Sequence, residues 1–231
     1  MRTNRRTIVV STLPLLVLAL LFSTEDAGAG DCTEQSTWDT FGIDPPTLAQ
    51  NCSFGVDSGN HNGMLKQSTE DPGLVLTSFT LTTEKLELTG NAAVSIMDLQ
   101  GPEPEEEQVV SVEVYTMSSQ GSENGEESAQ YFLRLLYSTP SGGLGVIEPL
   151  IAIPVIDATV AVVWLRKSEA NNTDGLLELW LGANQHLDLV GSVSGLENST
   201  QMINTVRLGS ISNRGGPSGT IVFSDFGADF D

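Results

Sequence analysis

The chain has 231 residues, of which 30 are Asp or Glu and only 10 are Lys or Arg, so its formal net charge is −20. Binding to a nucleic-acid backbone depends on clustered Lys and Arg, so this composition argues against a nucleic-acid partner. Hydrophobic residues make up 39 % of the chain, which is enough for one sizeable core. Charged residues make up 17 %, too few for a disordered acidic tail.

Residues 1–29 have the three parts of a secretory signal peptide: three arginines, an apolar run from Ile8 to Phe22, and Ala27-Gly28-Ala29. The run has about 15 residues, whereas a membrane-spanning helix needs about 20. The alternative is that the run stays in place as a membrane anchor, but we expect the signal peptide to be cleaved. The mature chain then forms one domain over residues 30–231 and has no stable membrane span. The predicted localisation is secreted, periplasmic or at the cell surface.

The chain contains two cysteines, Cys32 and Cys52, both near the start of the mature chain. In an exported protein such a pair is more typical of a disulfide than of a metal site or a nucleophile. Closing so short a loop stabilises a fold by about 3 kcal/mol. We therefore predict a Cys32–Cys52 disulfide, with two free thiols in a reducing compartment as the alternative.

From Gly30 onwards the chain shows short runs of alternating apolar and polar residues rather than a long helical period. Such runs, bounded by Gly, Pro, Asn, Asp or Ser, predict strands. In chain order they are Gly73–Leu81, Lys85–Leu88, Val109–Tyr115, Gln130–Tyr137, Thr159–Leu165, Leu176–Leu181, Thr205–Leu208 and Thr220–Phe226. Many strands without helices between them predict an all-β, antiparallel two-sheet jelly-roll sandwich.

The second half of the chain carries an ordered set of motifs. Ala161-Val162-Val163-Trp164 precedes a turn at Asp174-Gly175, where we expect the glycine to take a positive φ. Val206-Arg207-Leu208-Gly209 and a last strand ending at Ser224-Asp225-Phe226 follow. This order resembles secreted bacterial proteins of the concanavalin A-like, laminin-G-like jelly-roll superfamily, which includes lectins and glucanases. The resemblance covers roughly residues 157–228, and Ser224 departs from it, since the family has Asp there.

The resemblance implies one cofactor, a structural calcium ion held by Asp225 and by backbone carbonyls of the N-terminal segment. The residues add an argument, because Asp225 shares strand phase with Ile221 and Phe223. If those two side chains face the core, the Asp225 carboxylate needs a cation or hydrogen-bond donors. The alternative is that Asp225 is solvated or pairs with Arg207.

Motifs for catalysis are weak in this sequence. Glucanases of the resembled fold carry a Glu-x-Asp-x-Glu run on one strand face, and the chain contains no such run. Lyases of similar fold use a His and a Tyr beside an Arg-rich strand, but His61 and His186 both fall in predicted loops. Whether the protein is an enzyme is left open, with the balance against it.

Two residues are candidates for ligand binding. Trp38 lies in the N-terminal part of the mature chain, where it is free to face outward as an aromatic platform. Arg134 shares a strand face with Phe132 and Leu136 and could orient an anionic or hydroxylated ligand, although a partner role for an acidic residue is the simpler interpretation.

The sequence therefore predicts a non-enzymatic, lectin-like jelly-roll module that binds a glycan or another extracellular surface ligand. Two alternatives remain: a polysaccharide hydrolase or lyase with an unrecognised catalytic set, and a structural or adhesive component. The oligomeric state is not defined by these patterns.

Overall fold

The computed structural model describes residues 38–42, 52–56, 61–70, 72–102, 107–117, 130–139, 141–166, 174–183 and 186–231. These residues form thirteen strands and contain no helix. In particular, no described helix has the length and apolarity needed to cross a membrane.

The strands form two antiparallel sheets. One sheet has seven strands in the order β1-β3-β12-β5-β6-β7-β8. They are β1 (Asp39–Gly42), β3 (Asn62–Gln67), β12 (Thr205–Arg214), β5 (Ala93–Gln100), β6 (Gln108–Thr116), β7 (Tyr131–Ser138) and β8 (Leu144–Ile147).

The other sheet has six strands in the order β11-β10-β9-β4-β13-β2. They are β11 (His186–Ser194), β10 (Leu176–Ala183), β9 (Ala158–Leu165), β4 (Leu74–Glu87), β13 (Ser218–Phe230) and β2 (Cys52–Gly55). The predicted all-β two-sheet sandwich is thus confirmed.

The hydrophobic core lies between the two sheets because alternate residues of each strand point inward. On β7, Leu133 and Leu135 are fully buried, whereas the alternating residues Arg134 and Leu136 are only half-buried. Trp164 of β9 and Phe223 of β13 are among the largest fully buried side chains. The alternation gives each sheet one inner face in the core and one outer face.

The predicted alternating runs located most of the long strands. Where the predicted runs and the observed strands differ, the difference has a physical reason. The two runs over Gly73–Leu81 and Lys85–Leu88 belong to one 14-residue strand, β4, because Thr82–Glu84 continues the sheet without a turn. The predicted runs do not include β1, β2, β3, β5, β8 or β11. In β5 all eight residues are buried. A strand covered on both faces has no apolar–polar alternation to detect.

Gly175 shows another difference from the sequence prediction. It is not among the residues with a positive φ. Instead, a Cβ at this position would overlap the carbonyl oxygen of Leu196 and the side-chain oxygen of Asn198. The glycine is therefore explained by a close approach of backbone, not by a left-handed conformation.

Candidate functional site

The outer faces of the two sheets differ in chemistry. On the six-stranded sheet the outer face carries a second apolar cluster, formed by Leu76, Ala161, Val163, Trp180 and Leu187. On the seven-stranded sheet the outer face carries polar and charged side chains, which we call the polar face. Its central members are Ser95, Asp98 and Gln100 of β5, Ser111, Glu113 and Tyr115 of β6, Arg134 of β7 and Arg207 of β12.

The first cluster on the polar face surrounds Asp98, whose side chain is only 3 % exposed. Arg207 Nη2 donates to one carboxylate oxygen at 2.7 Å, while Ser95 Oγ and Gln108 Nε2 donate to the other at 3.0 and 2.8 Å. The hydroxyl groups of Ser95 and Ser111 are hydrogen-bonded at 2.7 Å. Three strands, β5, β6 and β12, thus meet in one buried hydrogen-bond network, which fixes these side chains in place.

The second cluster surrounds Glu113. Nε and Nη2 of Arg134 both donate to Oε2 of Glu113, at 2.7 and 2.5 Å. The Arg134 guanidinium also lies 5.1 Å from the ring centroid of Tyr115, within range of a cation–π interaction. Arg214 Nη2 approaches the same Glu113 oxygen at 3.8 Å. Arg134 is therefore held rigidly by two neighbours.

Two clefts open on this part of the molecule. The side cleft, with a volume of about 100 Å³, lies over Ser111, Glu113 and Leu136 and reaches Ser212. The end cleft, with a volume of about 680 Å³, lies where β6 and β12 end and is lined by Tyr115, Met117, Arg134 and Arg214. The polar face thus combines ordered charged groups with space for a ligand.

Arg134 lies on the polar face, with Phe132 and Leu136 on the same side of β7, as the strand pattern predicted. It is bonded to an acidic partner, Glu113, and whether it also contacts a ligand stays a prediction. Glu113 and Tyr115 were not named from the sequence. The alternation of Val109–Tyr115 could have placed both on one strand face, but not beside Arg134, because that depends on the pairing of β6 with β7.

Trp38 is half-buried at the margin of the main core. Its ring packs edge-on against Phe226 of β13, with 5.3 Å between the ring centroids. Whether its remaining exposed surface contacts a ligand stays a prediction.

The side chain of Asp225 does not point towards the core, contrary to the prediction from strand phase. Ile221 and Phe223 do face the core, but the pairing of β13 with β4 is irregular between Ser224 and Gly227. Asp225 takes φ 47° at this bulge and is exposed, while Phe226 is buried instead. A bulge adds a residue and reverses the phase, so the strand-phase argument for a metal ligand is wrong.

Calcium therefore stays a prediction, without support from the geometry of the Asp225 carboxylate. No group of three or more His, Cys, Asp or Glu side chains suited to a metal occurs among the described residues. The backbone carbonyls invoked for the site belong to the N-terminal segment, most of which lies outside those residues. Arg207, the alternative partner of Asp225, bonds Asp98 instead.

The predicted disulfide is only half within the described structure. Cys52 begins β2 and is 1 % exposed, whereas Cys32 lies outside the described residues. The signal peptide over residues 1–29 lies outside them as well. Both stay predictions.

The titratable groups on or near the polar face are poorly suited to act as a general base. Burial, reinforced by the nearby Glu148 carboxylate, raises the pKa of Tyr115, so its hydroxyl stays protonated at neutral pH. Glu113 is engaged by Arg134. His186 begins β11 of the other sheet and is exposed, while His61 is an exposed residue just before β3. The described residues therefore do not assemble the His, Tyr and Arg set expected of a lyase.

Comparison with known proteins identifies the fold. No family model matches the chain, and no curated protein matches it. Among solved structures, an exolytic PL7 alginate lyase from Zobellia galactanivorans aligns with a TM-score of 0.51 and 8 % identity, over 78 % of this chain and 84 % of that one. A legume lectin-like domain from Entamoeba histolytica aligns with a TM-score of 0.50 and 9 % identity, over 84 % and 90 %.

An alginate lyase from Chlorella virus gives a TM-score of 0.50 and 8 % identity, over 90 % of this chain and the whole of that one. At such low identity these likenesses establish fold alone. Lectin-like and lyase structures share one architecture with this chain. The chain therefore has the concanavalin A-like jelly-roll fold that its second half resembles.

Proposed function

We propose that this protein is a non-enzymatic, extracellular jelly-roll module that binds a glycan or a similar surface ligand on the polar face of its seven-stranded sheet. The carrying observation is the contrast between the outer faces. The outer face of the six-stranded sheet carries the apolar cluster around Trp180, whereas that of the seven-stranded sheet has a network of hydrogen-bonded charged groups beside two clefts. Fixed polar groups at a cleft provide the directional hydrogen bonds that recognise sugar hydroxyls.

The lectin-like and lyase neighbours are compatible with this proposal, since both kinds of protein belong to the shared fold. The absence of a suitable base among the described polar-face residues supports binding rather than turnover. Extracellular location is proposed from the signal-peptide pattern of residues 1–29, and N-terminal sequencing of the exported protein should begin at Gly30.

The test is a glycan array on the purified chain, combined with assays for reducing ends and for unsaturated sugar products. Array binding without product formation supports the proposal. Product release would instead establish a polysaccharide-active enzyme, and the absence of any bound glycan would overturn the glycan assignment.

A substitution on the polar face locates the binding surface. Ser212 is exposed and lines the side cleft, so Ser212→Trp should obstruct the polar face and weaken binding. Ser194→Trp is a matched control, because Ser194 is an exposed serine on β11 of the other sheet. Equal loss of binding in both variants would show that the ligand site lies elsewhere.

One observation favours a second candidate, a structural or adhesive component. Six large apolar side chains are exposed on β8 and the segment that follows it: Leu144, Val146, Leu150, Ile151, Val155 and Ile156. Exposed apolar surface of this kind is typical of protein–protein contact. Self-association in sedimentation velocity that is lost in Leu144→Lys/Val146→Lys, together with an empty glycan array, would select this candidate.

A further inference from the structure

The end cleft concentrates positive charge on a strongly acidic protein. Arg134 and Arg214 both line it, although the whole chain has only 10 Lys and Arg against 30 Asp and Glu. None of the described residues that line the cleft is acidic. The two acidic neighbours, Glu113 and Glu148, contact lining residues without lining the cleft themselves.

The two arginines differ in how firmly they are held. Arg134 makes two short hydrogen bonds to Glu113, and its side chain is 19 % exposed. Arg214 is 62 % exposed and approaches Glu113 only at 3.8 Å, longer than a hydrogen bond. Arg134 therefore neutralises Glu113, and the Arg214 guanidinium is the one that can turn towards a ligand.

Tyr115 contributes its ring, not its hydroxyl, to the same cleft. It is 7 % exposed, and its hydroxyl oxygen is buried beside the Glu148 carboxylate. Because that oxygen has no exposed surface, a ligand in the end cleft would contact the Tyr115 ring.

The charge of the whole chain limits the kind of anion that can bind. A long polyanion would approach a surface of net charge −20 and be repelled, whereas a single anionic group is repelled far less. The exposed Arg214 guanidinium matches one carboxylate or sulfate group, for which arginine has the appropriate paired donors.

We infer that the end cleft recognises a saccharide bearing a single anionic group, which Arg214 binds beside the Tyr115 ring. Arg134 takes both short hydrogen bonds of Glu113, so Arg214 is held only at 3.8 Å from that carboxylate. This inference rests on the proposed glycan-binding function and adds the ligand class.

The experiment measures the affinity of the purified chain for four probes by isothermal titration calorimetry. The probes are a trisaccharide with one terminal glucuronic acid, the same trisaccharide with terminal glucose, the glucose form carrying one sulfate, and a long polyuronate. We expect both singly charged trisaccharides to bind about tenfold or more tightly than the neutral one, as charge-assisted hydrogen bonds require. The polyuronate should bind more weakly than the acidic trisaccharides at low salt, with a gap that narrows as salt screens the repulsion.

The variant Arg214→Gln should remove the preference for the acidic probes while leaving thermal unfolding unchanged, because this side chain is exposed. Lys85→Gln is the matched control: it removes one positive charge from an exposed residue of β4 in the other sheet and should leave the preference intact.

Equal affinity for the neutral and acidic trisaccharides, or a preference that survives Arg214→Gln, would overturn the inference. Tightest binding of the polyuronate at low salt would overturn the restriction to a single anionic group. If array glycans bind without any acidic preference, only this inference fails. If no glycan binds at all, the proposed function fails with it.

Discussion

Gly175 shows how a single residue can be fixed by its neighbours rather than by its own conformation. Its carbonyl accepts a hydrogen bond from the Leu196 amide at 3.0 Å, and the two backbones are so close that a methyl group has no space. The sequence indicated a turn glycine, but the reason for glycine depends on a segment some twenty residues further along the chain.

We expect Gly175→Ala to destabilise the protein by about 1–3 kcal/mol, the usual cost of overpacking. Gly227→Ala is the control, because a Cβ there has no atom within 4 Å and the backbone has no positive φ. Urea unfolding of the two variants checks this. Equal stability of both variants would show that the contact at Gly175 relaxes without cost.

Glu178 is a buried acid on the outer face of the six-stranded sheet. It is 4 % exposed and accepts a hydrogen bond from Trp180 Nε1 at 3.0 Å. Burial raises the pKa of the Glu178 carboxyl above its ordinary 4.5, and the Trp180 hydrogen bond only partly opposes this. The folded state therefore binds this proton more tightly than the unfolded state does.

The sign of the pH effect follows. Because the folded-state pKa is raised, the stabilisation from Glu178 is complete below the unfolded-state pKa and is lost as pH rises through the folded-state pKa. We expect Glu178→Gln to match the wild type below pH 4.5 and to be more stable than the wild type at pH 7.

Chemical denaturation across pH, with the difference in unfolding free energy as readout, tests this expectation. Glu84→Gln removes an identical charge from an exposed residue of β4 and corrects for general charge repulsion. A Glu178→Gln protein less stable than Glu84→Gln at pH 7 would contradict it.

At the scale of elements, β5 explains why the polar face was difficult to predict. All eight of its residues are buried, yet its outer side carries Ser95, Asp98 and Gln100. The pairing of β5 with β12 on one side and β6 on the other places Arg207 beside Asp98. Strand pairing between distant segments thus creates a charged pair that no local pattern reveals.

Removing Asp98 should be severe, because Arg207 would keep a partly buried charge without its carboxylate. We expect Asp98→Ala to cost about 3–5 kcal/mol of unfolding free energy. Asp188→Ala is the surface control, since Asp188 is 76 % exposed and its pairing with His186 is solvated, so the change should be within about 0.5 kcal/mol.

Adding Arg207→Met to Asp98→Ala should recover part of the loss, because the guanidinium charge that lost the Asp98 carboxylate is then removed. Thermal and urea unfolding of the single and double variants provide the comparison. Simple additivity of the two substitutions would show that the pair is not energetically coupled.

At the scale of the whole molecule, the net charge of −20 acts on stability as well as on ligand choice. Self-repulsion among 30 acidic residues destabilises the compact state, and salt screens exposed charges more than buried pairs. We expect the melting temperature to rise as sodium chloride increases from low to physiological concentration. Differential scanning calorimetry measures it, and a falling melting temperature would show that the ion pairs of the polar face dominate instead.

The predicted Cys32–Cys52 disulfide closes the N-terminal segment onto β2. Mass spectrometry of the denatured chain should show a gain of two hydrogens after reduction, and reduction should lower stability by about 3 kcal/mol. An unchanged mass would contradict the bridge. The double variant Cys32→Ser/Cys52→Ser separates the effect of the bridge from that of the reductant.

The amino-acid sequence by itself determined the all-β class and the positions of most long strands. Those properties follow from side-chain alternation, which is a local consequence of strand geometry. The same reasoning located Arg134 on an outer face. It failed at Asp225, because a bulge reverses the phase without any signal in the local pattern.

Only the tertiary structure decided which side chains meet. The Asp98–Arg207 and Glu113–Arg134 pairs join residues 109 and 21 positions apart, and Trp38 packs on Phe226 near the other end of the chain. Such contacts depend on the order and register of strands, which are set by packing of the whole core rather than by any one segment. For that reason the sequence could predict a jelly roll but not the end cleft. Arg134 and Arg214 come together there only because β7 and β12 lie in one sheet.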